Sequence, residues 1–148
     1  MISYTSMKKL LFCLMALAAL ILVGCEKEGE LSTDFSGMWA FVADYNIKNG
    51  KTTYDKVDEV LSFEGSRIKL YYTKRDEGYN FKNGYMECSK RDLYDPSIYT
   101  FELHNDKCYP YYDGDGLGYI QIRGNKLYWY YDRGDYDVYE RIKGFTEG

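Results

Sequence analysis

From Met38 onward, apolar and polar residues change places at every second position over short stretches, and small or polar residues interrupt them. Residues 38–47 form the first stretch, with Trp39, Phe41 and Ala43 on one face and Met38, Ala40 and Val42 on the other. Residues 57–64 follow, with Leu61 and Phe63 sharing a face. Residues 67–73 set Ile68, Leu70 and Tyr72 against Arg67, Lys69 and Tyr71. Further strands are predicted over 85–88, 98–103, 107–112, 117–123, 126–132 and 136–143. The dipeptides Asn49-Gly50, Gly65-Ser66, Asn83-Gly84, Gly124-Asn125 and Gly134-Asp135 mark turns between them. Residues 89–97 are polar, contain Pro96 and read as the longest loop. No stretch keeps a helical period. The pattern predicts an all-β domain, an antiparallel meander of about eight to ten strands that closes on itself to remove its edges.

A different pattern opens the chain. Lys8 and Lys9 precede an apolar run over 10–23, too short to span a bilayer and of the length of a secretory signal core. The run ends in Leu22-Val23-Gly24-Cys25, which resembles the lipobox of bacterial lipoproteins. The resemblance implies a signal peptide over 1–24 that is cleaved, and a lipid on the Cys25 thiol and new amino terminus. The alternative is an uncleaved membrane anchor. Lipid anchoring is strong because each buried methylene contributes about 0.8 kcal/mol, and two or more chains hold a domain on a membrane. Residues 25–34 then read as the lipidated cysteine and a polar tether. Its Glu26-Lys27-Glu28-Gly29-Glu30 segment is similar to the acidic signals that send some Gram-negative lipoproteins to the outer face of the outer membrane. The expected location is the bacterial cell envelope, at the outer membrane.

Composition narrows the partners. Removing the first 24 of 148 residues leaves 124, one ordinary domain. Without Lys8 and Lys9, 17 of the 19 Lys and Arg remain against 23 Asp and Glu, a net charge of −6. An acidic domain of this kind is a poor partner for nucleic acid. Tyr supplies 18 residues, which favours half-buried pleated surface. Cys88 and Cys108 are expected to form a disulfide, permitted in an exported compartment; the alternative is two separate buried thiols. Two cysteines and one histidine do not fill a zinc shell with recognisable spacing, so neither a metal nor another cofactor is expected.

Phe35-Ser36-Gly37-Met38-Trp39, at the start of the first strand, resembles the Gly-x-Trp opening of lipocalins and their relatives. In that family the Trp closes one end of the barrel and an Arg from late in the chain stacks on it. Gly37, Trp39 and Arg141 match those positions. The resemblance implies a lipocalin-like barrel over 35–143, with 144–148 left as a tail, and a binding role rather than catalysis.

The residues themselves offer little catalysis. His104, the one histidine, lies in a predicted turn with Asn105 and Asp106, and no Gly-x-Ser-x-Gly elbow supplies a nucleophile. Asp113-Gly114-Asp115-Gly116 lacks the ligands of a calcium loop, because Leu117 and Gly124 occupy its fifth and twelfth positions. The run Leu127-Tyr128-Trp129-Tyr130-Tyr131 places Tyr128 and Tyr130 on one face. Joined by Tyr109, Tyr111 and Tyr112, they are candidate ligand-binding rings, or else cross-strand pairs that stabilise a sheet. The expected function is a non-enzymatic envelope binding domain for a small apolar or glycan-type ligand. The alternatives are an accessory subunit or inhibitor that meets a protein through an aromatic face and, least supported by the residues, a hydrolase.

Overall fold

A computed structural model describes residues 29–132 and 134–147. Cys25 and the expected signal peptide lie outside the described residues. In chain order the strands are β1 Leu31–Ser32, β2 Gly37–Asn46, β3 Gly50–Thr53, β4 Lys56–Val57, β5 Glu59–Glu64, β6 Arg67–Tyr72, β7 Tyr79–Lys82 and β8 Tyr85–Met86. They continue with β9 Ser97–His104, β10 Lys107–Tyr112, β11 Asp115–Gly116, β12 Tyr119–Arg123, β13 Lys126–Asp132, β14 Asp135–Arg141 and β15 Gly144–Phe145.

Eight of these strands close an antiparallel barrel in the order β2-β5-β6-β9-β10-β12-β13-β14, with β14 returning to β2. Every link joins chain neighbours of the barrel except the last, so the meander expected from the sequence is the observed topology. Local chemistry sets the turns. Lys82 faces Tyr85 across Asn83-Gly84, and Tyr112 faces Asp115 across Asp113-Gly114. Both central residues of each turn have positive φ, the geometry whose twist suits a two-residue hairpin. Asp113-Gly114 is therefore a hairpin turn, and no group of acidic, His or Cys side chains among the described residues is arranged to hold a metal.

The inner face carries Trp39, Leu61, Phe63, Ile68, Leu70, Cys108, Ile120, Ile122, Leu127, Trp129 and Tyr139 as one apolar cluster. The outer face of β2 and β5 is also buried. Ala40 and Val60 join Val57, Met86, Cys88 and Leu93 in a second cluster, on which Phe81 and Phe145 pack. A small sheet in the order β15-β8-β7-β4 supplies much of that cover. Residues 144–148, expected as a tail, instead contribute β15, which runs parallel to β8 and buries Phe145 in part.

Two further expectations change. The period-two reading puts Ala43 inside with Trp39 and Phe41. In the structure Tyr139 faces Phe41 while Val138 faces Ala43, so β2 carries one extra residue at Val42. The bulge turns Ala43 outward, where it packs with Tyr128, Tyr136 and Val138. The disulfide expectation also fails: Cys88 and Cys108 are both free and both buried. Cys108 belongs to the inner cluster and Cys88 to the outer one, so the barrel wall separates them. The loop over 89–96 is held without a bridge. Ser89 and Asp92 form a reciprocal capping box on a short 3-10 turn, Lys90–Asp92. Lys74 N donates to Asp92 O and Tyr94 N to Tyr72 O, at 2.7 and 2.8 Å, which stitches the loop to the end of β6.

Candidate functional site

One end of the barrel is plugged. Arg141 lies in register with Trp39, and its guanidinium carbon stands 4.1 Å from the indole centroid. Trp39 is fully buried and donates its indole N–H to Ser36 O at 3.0 Å. Gly37 has φ +84, and a Cβ there would meet the Arg141 Nη1 at 3.0 Å. Glycine therefore fits this position on two counts, backbone and space. Gly37, Trp39 and Arg141, linked in the sequence by one resemblance, form one contact group.

The other end holds a cavity of about 340 Å³. Its walls come from Leu70 of β6, Tyr99 of β9, Gly116, Leu117 and Gly118 ahead of β12, Trp129 and Tyr131 of β13, and Glu59, Asp137 and Tyr139 of β5 and β14. The volume lies at the low end of the range for small-molecule sites. Trp129 donates its indole N–H to Leu117 O at 2.6 Å, which fixes the ring against the Gly116–Gly118 rim. Gly118, at φ +73, lets that rim pass so close to β13 that a Cβ would lie 1.9 Å from Tyr130 O.

The polar groups in and beside the cavity form tyrosine–carboxylate pairs. Tyr139 donates to Glu59, and Tyr131 donates to Asp137 at 2.9 Å. Beside them Tyr54 donates to Asp44 at 2.6 Å. Asp44 faces Asp137 across the β2–β14 pair, on the same side of the sheet because the bulge has reset the alternation of β2. Burial pushes Glu59 up to about 7; the Tyr139 hydrogen bond opposes the shift, and Asp137 and Asp58 add to it. Asp137 is pushed up to about 6 by burial, against its Tyr131 hydrogen bond and with the help of Asp44. Tyr54 is pushed up to about 12, first by its bond to Asp44. No Lys or Arg lines the cavity among the described residues.

The candidate tyrosines divide. Tyr109, Tyr128 and Tyr130 lie on the outer face, in a ladder that runs through Tyr119, Tyr130, Tyr136 and Tyr45. Tyr119 stacks on Tyr130 with centroids 4.9 Å apart, and Tyr45 on Tyr136 at 5.0 Å. Tyr128 is almost fully buried. Much of the ring surface of this ladder is spent on neighbouring rings, an arrangement that stabilises cross-strand neighbours by a few tenths to about 1 kcal/mol a pair. Tyr111 borders Gly116. Tyr112 has the opposite parity and meets Tyr99, a cavity residue, at 5.2 Å. His104 is exposed, beside Glu102 and the Tyr109 ring.

Glu59 and Asp137 escaped sequence reading because an isolated acid in a strand looks like a solvent-facing position. Parity was the available signal: Glu59 shares the face of Leu61 and Phe63, and Asp137 that of Tyr139 and Arg141. Comparison with protein-family models, with curated proteins and with solved structures finds no match to this chain.

Proposed function

We propose that this chain is a lipid-anchored envelope protein whose lipocalin-like barrel binds a small molecule at its open end and catalyses no reaction. The observation that carries the reading is the cavity of about 340 Å³ at the end opposite the Trp39–Arg141 plug. A barrel serving only as a structural spacer gains nothing from an inner face that departs from apolar packing at one end. Here two half-buried carboxyl groups, three tyrosine rings and one indole converge there. Between an apolar and a glycan-type ligand, the mixed lining favours one with a ring or short hydrocarbon body and at least one polar group, because a wholly apolar guest would leave the carboxyl groups desolvated. The lipid anchor rests on Leu22-Val23-Gly24-Cys25 and sets the compartment from which the ligand is drawn.

Two experiments test the parts separately. Cys25→Ala should block labelling by a palmitate analogue and leave an unprocessed precursor; normal labelling of that variant overturns the anchor. Native mass spectrometry of the protein released from its own membranes should show a small organic adduct, and Leu70→Trp, which fills the cavity, should remove it. An absent adduct in the native protein, or an adduct unchanged by Leu70→Trp, overturns the binding site.

A further inference from the structure

We propose that the cavity takes an organic cation, an ammonium compound with an aromatic or short aliphatic body, seated between the aromatic walls and the carboxylates of Glu59 and Asp137. This rests on the reading of the barrel as a binding domain and names its ligand class.

Charge balance is the first argument. Glu59 and Asp137 both line the cavity, and the other charges that act on them come from Asp58 and Asp44. Asp135, at the start of β14, acts on Tyr131 with the same sign. Arg141 is committed to Trp39 at the plugged end, and Lys51 and Lys126 line a different groove. The described residues thus place like charges together with no cation among them. Such a site repels anions and gains most from a guest that carries positive charge.

The second argument is the wall. Tyr99 and Trp129 meet edge to face at 6.2 Å, buried Tyr139 lines the floor with them, and half-exposed Tyr131 stands at the mouth. Ring faces attract ammonium groups, most strongly where water is excluded. Rings beside carboxyl groups also suit a neutral sugar, but a sugar gains nothing from the ionised form of either acid. A metal ion is the poorer guest, since no three acidic, His or Cys groups among the described residues converge on a point.

The third argument is the supply of hydrogen bonds. Tyr139 and Tyr131 each donate to one carboxyl, which fixes its position and leaves lone pairs free. An ammonium group brings only donors, and these acceptors match it. Burial keeps both carboxyl groups partly protonated near neutrality, so a cation draws out their protons as it binds. Affinity should therefore rise with pH, while the ammonium itself stays charged.

The test uses the mature chain and two probes of equal size, 2-phenylethylamine and 2-phenylethanol, followed by calorimetry. The amine should bind about tenfold or more tightly than the alcohol at about pH 8, and this preference should shrink to less than about threefold at about pH 5.5. Glu59→Gln and Asp137→Asn, both near-isosteric, should each lower amine affinity more than alcohol affinity, narrowing the preference. Having two variants keeps the test intact if one fails to fold. Equal binding of amine and alcohol overturns the cation assignment and leaves the binding domain standing. A preference that survives both substitutions also overturns it, because the charge would then be read elsewhere. Binding of neither probe overturns the cation assignment, and only the further absence of a native adduct overturns the binding domain as well.

Discussion

Glu59 is a carboxyl group whose burial has a measurable consequence. Its folded-state value is raised from 4.5 to about 7, and that of Asp137 from 3.8 to about 6. For an acid raised on folding, the native state holds the proton over a range where the unfolded chain has released it. Stability is then greatest below the unfolded value and is lost as pH rises through the folded one. Urea unfolding should show stability falling between about pH 4.5 and pH 7, by on the order of 3 kcal/mol for Glu59, and Glu59→Gln should flatten most of that slope. At the plug, Trp39→Ala removes a fully buried ring and should cost about 3–5 kcal/mol in the same assay. A loss below about 1 kcal/mol would show that the ring does not seal the barrel. The thiols give a third check. Burial pushes Cys88 up to about 11 and Cys108 up to about 12, so neither is a nucleophile at neutral pH. Non-reducing peptide mapping should find both free, and a thiol reagent should label them only on unfolding.

At the scale of elements, the sequence exposes what depends on near neighbours and conceals what depends on pairing. The Asn83-Gly84 turn was legible because few residues accept positive φ. The faces of β13 were legible because Leu127, Trp129 and Tyr131 alternate with Tyr128 and Tyr130. Gly37, Trp39 and Arg141 were legible as a resemblance, and their contact spans the whole meander. The bulge at Val42 was not legible, since an extra residue exists only relative to the strand opposite. Its effect reaches the cavity: without it Asp44 would turn outward and lose its place beside Asp137. The separation of the cysteines was hidden for a similar reason, because Cys88 sits beyond β8, outside the eight barrel strands. The rim ahead of β12 is also a matter of pairing. Gly118→Ala must push a methyl into the β13 backbone, and it should weaken ligand binding and lower thermal stability together. Calorimetry and a melting curve on one preparation would show both.

On the scale of the whole molecule, the barrel is sealed unevenly. The links β2–β5, β5–β6 and β13–β14 run over at least four residue pairs each. Between β10 and β12, among the described residues, the ladder has a single pair, Cys108 opposite Ile120. Leu117 N to Pro110 O, at 2.9 Å, adds one bond beyond it. The short strand β11 then pairs with β10, and β1 borders β12. This seam runs into the Gly116–Gly118 rim, which is also a wall of the cavity. Backbone amides of β12 should therefore exchange with deuterium sooner than those of β5, and a bound guest should slow them. The barrel is then less a cup with a fixed mouth than a purse with a side slit, and the guest proposed for the cavity would serve as its clasp.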